Sequence, residues 1–413
     1  MPRVFSKQIF QAEKEEDGPS LPRLLYDGPF KKAVDVAGHY GFSLTRPPVP
    51  GKDDISRARS LQELHERKSS FAVVEPSFVP EERNALLRFY SQSRYEKRGQ
   101  PLLLCHSRHS LDKKVLSQFR LDIFGARCSA AEALLIKTSL EILDEFGGGD
   151  FWVELNSVGD RENYARFARE VTLFYRKHLS DLPAACRQNF VRSPLRPLEC
   201  ENHDVCRAIR EDAPKSVSFL SEKSRRHFEE VLEFLESMGV PYRLNNSLLG
   251  HKNYSSEVVF QIKSKDSENE KVMVKGERFD GLVRRLGYKR DVCGASAVLG
   301  IADLWRSEKY KEVEPGKVQE PKVYLVQLGF EARVRGISVL SLLRKSNMPV
   351  VHSMGDDRLL SQLAAADELG VPYVIILGQR EAVDNSVIIR NRETRFQETV
   401  GMNDLLRYLK RLK

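Results

Sequence analysis

Cys200, His203 and Cys206 stand close together, and thiolate and imidazole are the donors a zinc ion takes. The Cys-x5-Cys spacing is not a usual zinc pair, and no second pair follows at a typical interval, so no metal is expected. A second candidate is Gly147-Gly148-Gly149. Glycine-rich loops cradle phosphate when they lead into a helix; this one follows a helical pattern and reads as a helix stop. The third is a basic set near the C-terminus. Arg390, Arg392 and Arg395 line a strand pair, and Arg407, Lys410, Arg411 and Lys413 end the last helical pattern. From Pro321 to Lys413 there are 14 Lys/Arg against 10 Asp/Glu. Such residues make the phosphate contacts that set RNA affinity without reading sequence. The same charges also suit a solvated helix face and a helix C-terminus.

The elements that must position these residues come from a chain of 413 residues, enough for two or three domains at about 100–200 residues each. Hydrophobic content of 41% and charged content of 30% describe a soluble globular protein. The 66 basic and 58 acidic residues leave +8, a balance compatible with a polyanionic partner. Six cysteines (Cys105, Cys128, Cys186, Cys200, Cys206, Cys293) read as reduced thiols of a cytoplasmic protein. No apolar run is long enough to span a membrane, and Met1 to Gly18 is no signal peptide.

Periodicity predicts helices over Pro29 to His39, Glu81 to Tyr95 and Ala130 to Glu145, with a loop over Pro50 to Ser60. Strands are expected at Phe42 to Thr45, Phe71 to Val74, Leu102 to Cys105, Gln118 to Phe124 and Phe151 to Asn156. A helical block spans about 160–238, with helices at Glu162 to Leu179, Cys206 to Glu211 and Glu222 to Met238. Strands return at Val258 to Ile262, Val272 to Val274 and Ala295 to Leu299. Trp305 to Pro321 reads as a linker. Beyond it, βα alternation argues a small, mostly parallel α/β domain.

Several stretches, in order, resemble the class II histidyl-tRNA synthetase family in its bacterial form. Tyr40-Gly-Phe-Ser-Leu-Thr-Arg-Pro-Pro48 looks like motif 1, and Gln118-Phe-Arg-Leu-Asp-Ile-Phe-Gly125 like the strand closing motif 2. Glu154-Leu-Asn-Ser-Val-Gly159, then Asn189 to Pro197, are similar to the insertion domain. Gly276-Glu-Arg-Phe-Asp-Gly-Leu282 is similar to a histidine-pocket signature. Leu360-Ser-Gln-Leu-Ala-Ala-Ala-Asp and Tyr373 to Gly378 look like the anticodon-binding domain. The resemblance implies a class II core over 1–315, a mixed, mostly antiparallel sheet flanked by helices with the helical insertion. It further implies a linker at 316–320 and an α/β anticodon-binding-like domain over 321–413. It also implies a homodimer through motif 1 and a histidine pocket retaining Gln118, Asp122, Tyr254, Arg278, Phe279, Asp280 and Gly281.

Adenylate formation brings a carboxylate against a triphosphate, so the site must hold fixed positive charge, for which the family uses three arginines. An ungapped count puts Leu104 at the motif 2 position, with Arg108 available only if the loop is shortened by about four residues. The histidine-specific position falls on Gly250 or Leu249, and the motif 3 position on Asp303. Ser77 replaces a pocket glutamate, and Arg120 stands where the family has glycine. Losing one preorganised donor costs about 2.7–4 kcal/mol of transition-state stabilisation. The expectation is therefore a synthetase-like chain with impaired or lost aminoacylation that binds tRNA, another RNA or a protein partner, with Arg390, Arg392, Arg395, Lys410 and Arg411 facing RNA. Two alternatives stand beside it: an active ligase, which alone would require ATP and Mg, and a histidine-sensing regulatory subunit like that of ATP phosphoribosyltransferase.

Overall fold

A computed structural model describes residues 29–45, 48–61, 76–92, 101–108, 118–147, 149–200, 202–251, 253–265, 270–286, 292–300 and 321–411. The expected strand at Phe71 to Val74, the linker and Asp303 lie outside these.

An eight-stranded sheet runs in the order β1-β2-β3-β8-β7-β6-β4-β5. Its strands are β1 (Ser43–Leu44), β2 (Leu102–Arg108), β3 (Gln118–Phe124), β4 (Phe151–Gly159), β5 (Tyr242–Leu244), β6 (Ser256–Lys265), β7 (Glu270–Arg278) and β8 (Gly294–Gly300). Only the outer pairs β1–β2 and β4–β5 are parallel. The helix α1 (Pro29–His39) leads into β1, the edge strand.

A loop was expected over Pro50 to Ser60, yet Lys52–Leu61 is a helix, α2. The misreading has a physical cause. The helix is held by polar anchors more than by an apolar stripe: buried Asp54 caps Gly51 N–H at 2.8 Å and takes Arg88 Nη2 at 3.0 Å from α3 (Pro80–Gln92). Asn84, also on α3, donates to the Asp54 carbonyl at 3.0 Å.

Both faces of the central strands are covered; every residue of β3 and β8 is buried. On one face lies α4 (Ala130–Glu145), with Leu134, Leu135, Ile142 and Leu143 in the main core. Each such side chain contributes about 1.5–3 kcal/mol on burial. The helix stops at Gly147, whose φ of +124° suits a residue without Cβ, as the glycine triplet led one to expect. On the other face α3 packs Leu86, Leu87 and Tyr90 against Leu104, Phe124 and Phe279.

Between β4 and β5 comes the helical segment: α5 (Arg161–Lys177), α6 (Ala184–Arg192), α7 (Asp204–Glu211) and α8 (Glu222–Ser237). Asp160 caps α5 by accepting from the Glu162 and Asn163 amides at 2.9 Å. The α5–α7 part has its own core, including Phe167, Val171, Tyr175, Phe190 and Leu198.

After a single turn of helix, α9 (Leu282–Arg285), and the strand β8, the description resumes in the second sheet, ordered β10-β9-β11-β12-β13. It comprises β9 (Val323–Gln327), α10 (Phe330–Lys345), β10 (Val350–His352), α11 (Leu359–Leu369), β11 (Tyr373–Leu377), α12 (Gln379–Val383), β12 (Ser386–Asn391), β13 (Gln397–Gly401) and α13 (Met402–Arg411). The expectation of a mostly parallel sheet is corrected: β10, β9 and β11 are parallel, but β12 and β13 are antiparallel. Hairpins need only a short turn, and here Asn391 Oδ1 makes it, accepting from Glu393 N at 2.9 Å and Thr394 N at 3.0 Å.

The two sheets share one apolar core. Tyr40 and His39 at the end of α1 reach Ser341 and Asn347, each at 3.2 Å, and His352 Nε2 lies 3.1 Å from the Tyr40 carbonyl. Arg344 of α10 pairs with both Glu141 and Glu145 of α4.

Candidate functional site

Strand alternation sorts the candidate residues by face. Asp122 is paired with Leu104 on one side and Ser296 on the other, and Ser296 is paired with Glu277. Gln118, Arg120, Asp122, His106 and Glu277 therefore share one face, beneath α3. Arg120 Nε donates to Asp122 Oδ1 at 3.0 Å, and the Ser296 hydroxyl donates to the same carboxylate oxygen. Arg83, from α3, pairs with Glu277, which also accepts from the Ser255 hydroxyl. Phe78 lies over both cations, 4.1 Å from Arg83 Cζ and 5.4 Å from Arg120 Cζ. With its amide oriented to suit its neighbours, Gln118 donates to Ser77 O at 3.1 Å and accepts from Ser77 N at 3.2 Å. Tyr254 and Phe279 close the far side, their ring centroids 5.9 Å and 5.4 Å from Arg83 Cζ.

All four charged groups are almost wholly buried: Arg83 2%, Arg120 5%, Asp122 0% and Glu277 6% exposed. Two cations face two anions. Burial pulls Arg83 below the usual arginine range, with Glu277 opposing. Burial likewise pushes His106 down to about 4, so it is neutral at pH 7 although its Nδ1 is 3.7 Å from Asp122 Oδ2.

Arg278 is corrected. Its neighbour Glu277 faces the cluster, so Arg278 points through the sheet to α4, where it meets Glu132 at 2.6 and 2.7 Å and the carbonyls of Ala126 and Cys128. It is a sealed structural arginine at 0% exposure. Asp280 turns to the Gly294 amide at 2.9 Å, and Gly281, at φ +77°, makes the turn that follows. Of the expected pocket set, the fold unites Gln118, Asp122, Tyr254 and Phe279 and sets Arg278, Asp280 and Gly281 apart. It adds Arg83 and His106, which no motif marked, and Glu277, which lay unremarked inside the Gly276–Leu282 stretch. One signal did exist: Arg83 precedes Leu86, Leu87 and Tyr90 at helical spacing, a charge on an apolar stripe.

Neither candidate for the second arginine position has room for one. Leu249 is 2% exposed in the core of the helical segment. Gly250 has φ +63°, and a Cβ there would stand 2.5 Å from Ser255 Oγ and 2.7 Å from Val259 Cγ1. Leu104 is packed among Leu86, Leu87 and Tyr90, while the Arg108 backbone pairs with Gln118 at the strand end.

Two other groups matter. The trio Cys200, His203 and Cys206 is joined by Cys186, and the four donor atoms lie within 4.8 Å of one another. The expectation of no metal rested on the Cys-x5-Cys spacing and the lack of a second pair; the fold brings a further thiol from a separate helix. In the second sheet Arg390, Arg392 and Arg395 sit on the β12–β13 hairpin. Arg392 is engaged by Asp367 at 3.2 Å, and Arg395 takes a φ of +57° in the turn. Tyr408 of α13 lies within electrostatic reach of Glu398 on β13, and Lys410 and Arg411 are exposed at the end of the same helix.

Residues 322–412 match the anticodon binding domain family. The chain is 27% identical over 383 residues to the histidine–tRNA ligase of Fervidobacterium nodosum, covering 88% of this chain and 89% of that one. The ligase of Halothermothrix orenii is 29% identical over 295 residues, covering 71% and 70%. Over most of its length the chain is similar to class II histidyl-tRNA synthetases. The fold agrees: the apo histidyl-tRNA synthetase of S. aureus superposes with a TM-score of 0.52 at 19% identity, over 92% of this chain and 94% of that one. Histidyl-tRNA synthetase architecture thus frames a sheet face closed by its own ion pairs. Among the described residues, no helix is long and apolar enough to cross a membrane.

Proposed function

We propose that this chain is a histidyl-tRNA synthetase-like protein whose aminoacylation is lost or severely impaired and which binds tRNA through a retained scaffold. The observation that carries this reading is the neutral, buried cluster of Arg83, Glu277, Arg120 and Asp122 under Phe78. Adenylate formation needs surplus positive charge open to a triphosphate. Here each cation already faces a carboxylate, and Gln118 is engaged by Ser77. Among the described residues, this cluster does not fit ATP with Mg. RNA contact is assigned to Arg390, Arg395, Lys410 and Arg411, with Arg392 partly committed to Asp367. Self-association is assigned to the open edge at β1, in the cytoplasm.

Histidine-dependent ATP–pyrophosphate exchange by the full chain tests the reading. Exchange at background is expected; robust exchange would establish the active ligase, the reading that the relatives' names favour. Filter binding of tRNA across a salt series is expected to give salt-sensitive affinity. Its absence would favour the regulatory-subunit reading.

A further inference from the structure

We propose that Cys186, Cys200, His203 and Cys206 form a structural zinc site that ties α6 and α7 together beneath α5. The donors come from three places. Cys186 lies in the first turn of α6, Cys200 directly follows the 3-10 turn Arg196–Glu199, and His203 and Cys206 flank the start of α7. Cys186 Sγ is 3.5 Å from Cys200 Sγ, 3.5 Å from His203 Nδ1 and 3.5 Å from Cys206 Sγ. Cys200 Sγ is 3.3 Å from His203 Nδ1. Tetrahedral zinc with bonds of about 2.3 Å to sulfur and 2.0–2.1 Å to nitrogen sets its donors about 3.5–3.8 Å apart. The four observed separations lie close to that spacing and all six pairs fall within 4.8 Å, so small side-chain shifts would admit the ion.

Disulfide bonding does not explain the cluster. A sulfur–sulfur bond is about 2.05 Å, and all three thiols are free. A set of three thiolates and one imidazole is typical of closed structural zinc and foreign to magnesium or calcium. Cys186 and Cys206 are buried while Cys200 and His203 are partly exposed, so the site opens to solvent on one side.

An independent observation points the same way. Tyr175 of α5 is 0% exposed, and its hydroxyl has no hydrogen-bond partner among the described residues. It lies within electrostatic reach of Cys200, Cys206 and Arg210. A buried hydroxyl without an acceptor is unfavourable, and metal-bound thiolate is a good acceptor. Arg210, held to the Leu198 carbonyl at 3.1 Å, offsets the single negative charge that three thiolates leave on zinc. The need is also plain. The helices α6 and α7 have 9 and 8 residues, too few to persist without tertiary support.

The inference is independent of whether the chain acylates tRNA. Its test is the metal content of the full chain by mass spectrometry, with cobalt exchange read by thiolate charge-transfer and tetrahedral d–d absorption. About one zinc per chain is expected, with the cobalt bands of a thiolate-rich tetrahedral site. Cys200→Ser and His203→Ala should each weaken zinc at least tenfold, and His203→Cys, which keeps four donors, should still hold it. Tyr175→Phe should weaken zinc by about 10–100-fold. Zinc content unchanged in Cys200→Ser and His203→Ala would overturn the proposal. So would a wild-type chain that binds neither metal, or a native disulfide among these cysteines.

Discussion

Arg120 Nε lies 3.0 Å from Asp122 Oδ1, two residues along one strand, with both side chains shut away from water. The pair fills the sheet face that the family resemblance assigns to histidine. Breaking a buried pair strands the remaining charge. Arg120→Ala is expected to destabilise the chain by about 3–5 kcal/mol in urea unfolding. The Arg120→Ala/Asp122→Ala double variant should lose less than the sum of the two single changes, since neither charge is left alone.

Restoring an arginine by substitution should fail. Gly250→Arg places a Cβ into Ser255 and Val259 at a positive φ. A loss of about 2 kcal/mol or more is expected from strain and overpacking. The variant should show no histidine-dependent pyrophosphate exchange. Exchange rising above the parent chain would mean that the loop at 250 can rearrange.

Acid should weaken the fold in two overlapping windows. Burial holds His106 at about 4, below its ordinary 6.5, with Asp122 opposing and Arg120 assisting. Its folded pKa is depressed, so its contribution is complete above about 6.5 and fades as pH falls toward 4. Burial favours protonation of Glu132, but Arg278 and His227 prevail and hold it at about 2 instead of 4.5. That contribution is complete above about 4.5 and is lost toward 2. Each window is worth on the order of 3 kcal/mol at most. Urea midpoints against pH should lose the upper window in His106→Asn and the lower one in Glu132→Gln.

Binding of tRNA should depend on salt through the hairpin and α13. Replacing Arg395, Lys410 and Arg411 by alanine should reduce the slope of log affinity against log salt by about 2–3. Arg392→Ala should change it least, because Asp367 already holds that side chain. Equal slopes in all variants would place the RNA contacts elsewhere.

Much of the fold was legible because the strands and helices carry plain periodicity. Pro29–His39, Gln118–Phe124 and Ala130–Glu145 lie where the pattern put them. The helix α2 was hidden, since its anchor is the polar contact of Asp54 with Arg88 and Asn84. In the candidate site, Gln118 and Asp122 were visible through family motifs. The Arg83–Glu277 partnership was not, for it joins positions 194 apart that no local spacing relates. Arg278 was misplaced because a motif names residues without their faces, and a one-residue step along a strand reverses direction. Cys186 escaped for a similar reason: only the packing of α6 and α7 on the 3-10 turn Arg196–Glu199 brings it to the trio.

The contacts of α1 with α10 and β10 also bear on mechanics. With Tyr40 bound to Ser341, His352 bound to the Tyr40 carbonyl, and Arg344 clamped to two acids of α4, the second sheet has little freedom to swing as a tethered arm. A macromolecule gripped at the β12–β13 hairpin is therefore held at a fixed reach from the long sheet. Under the proposed function, such a fixed span would favour partners whose two contact points match it.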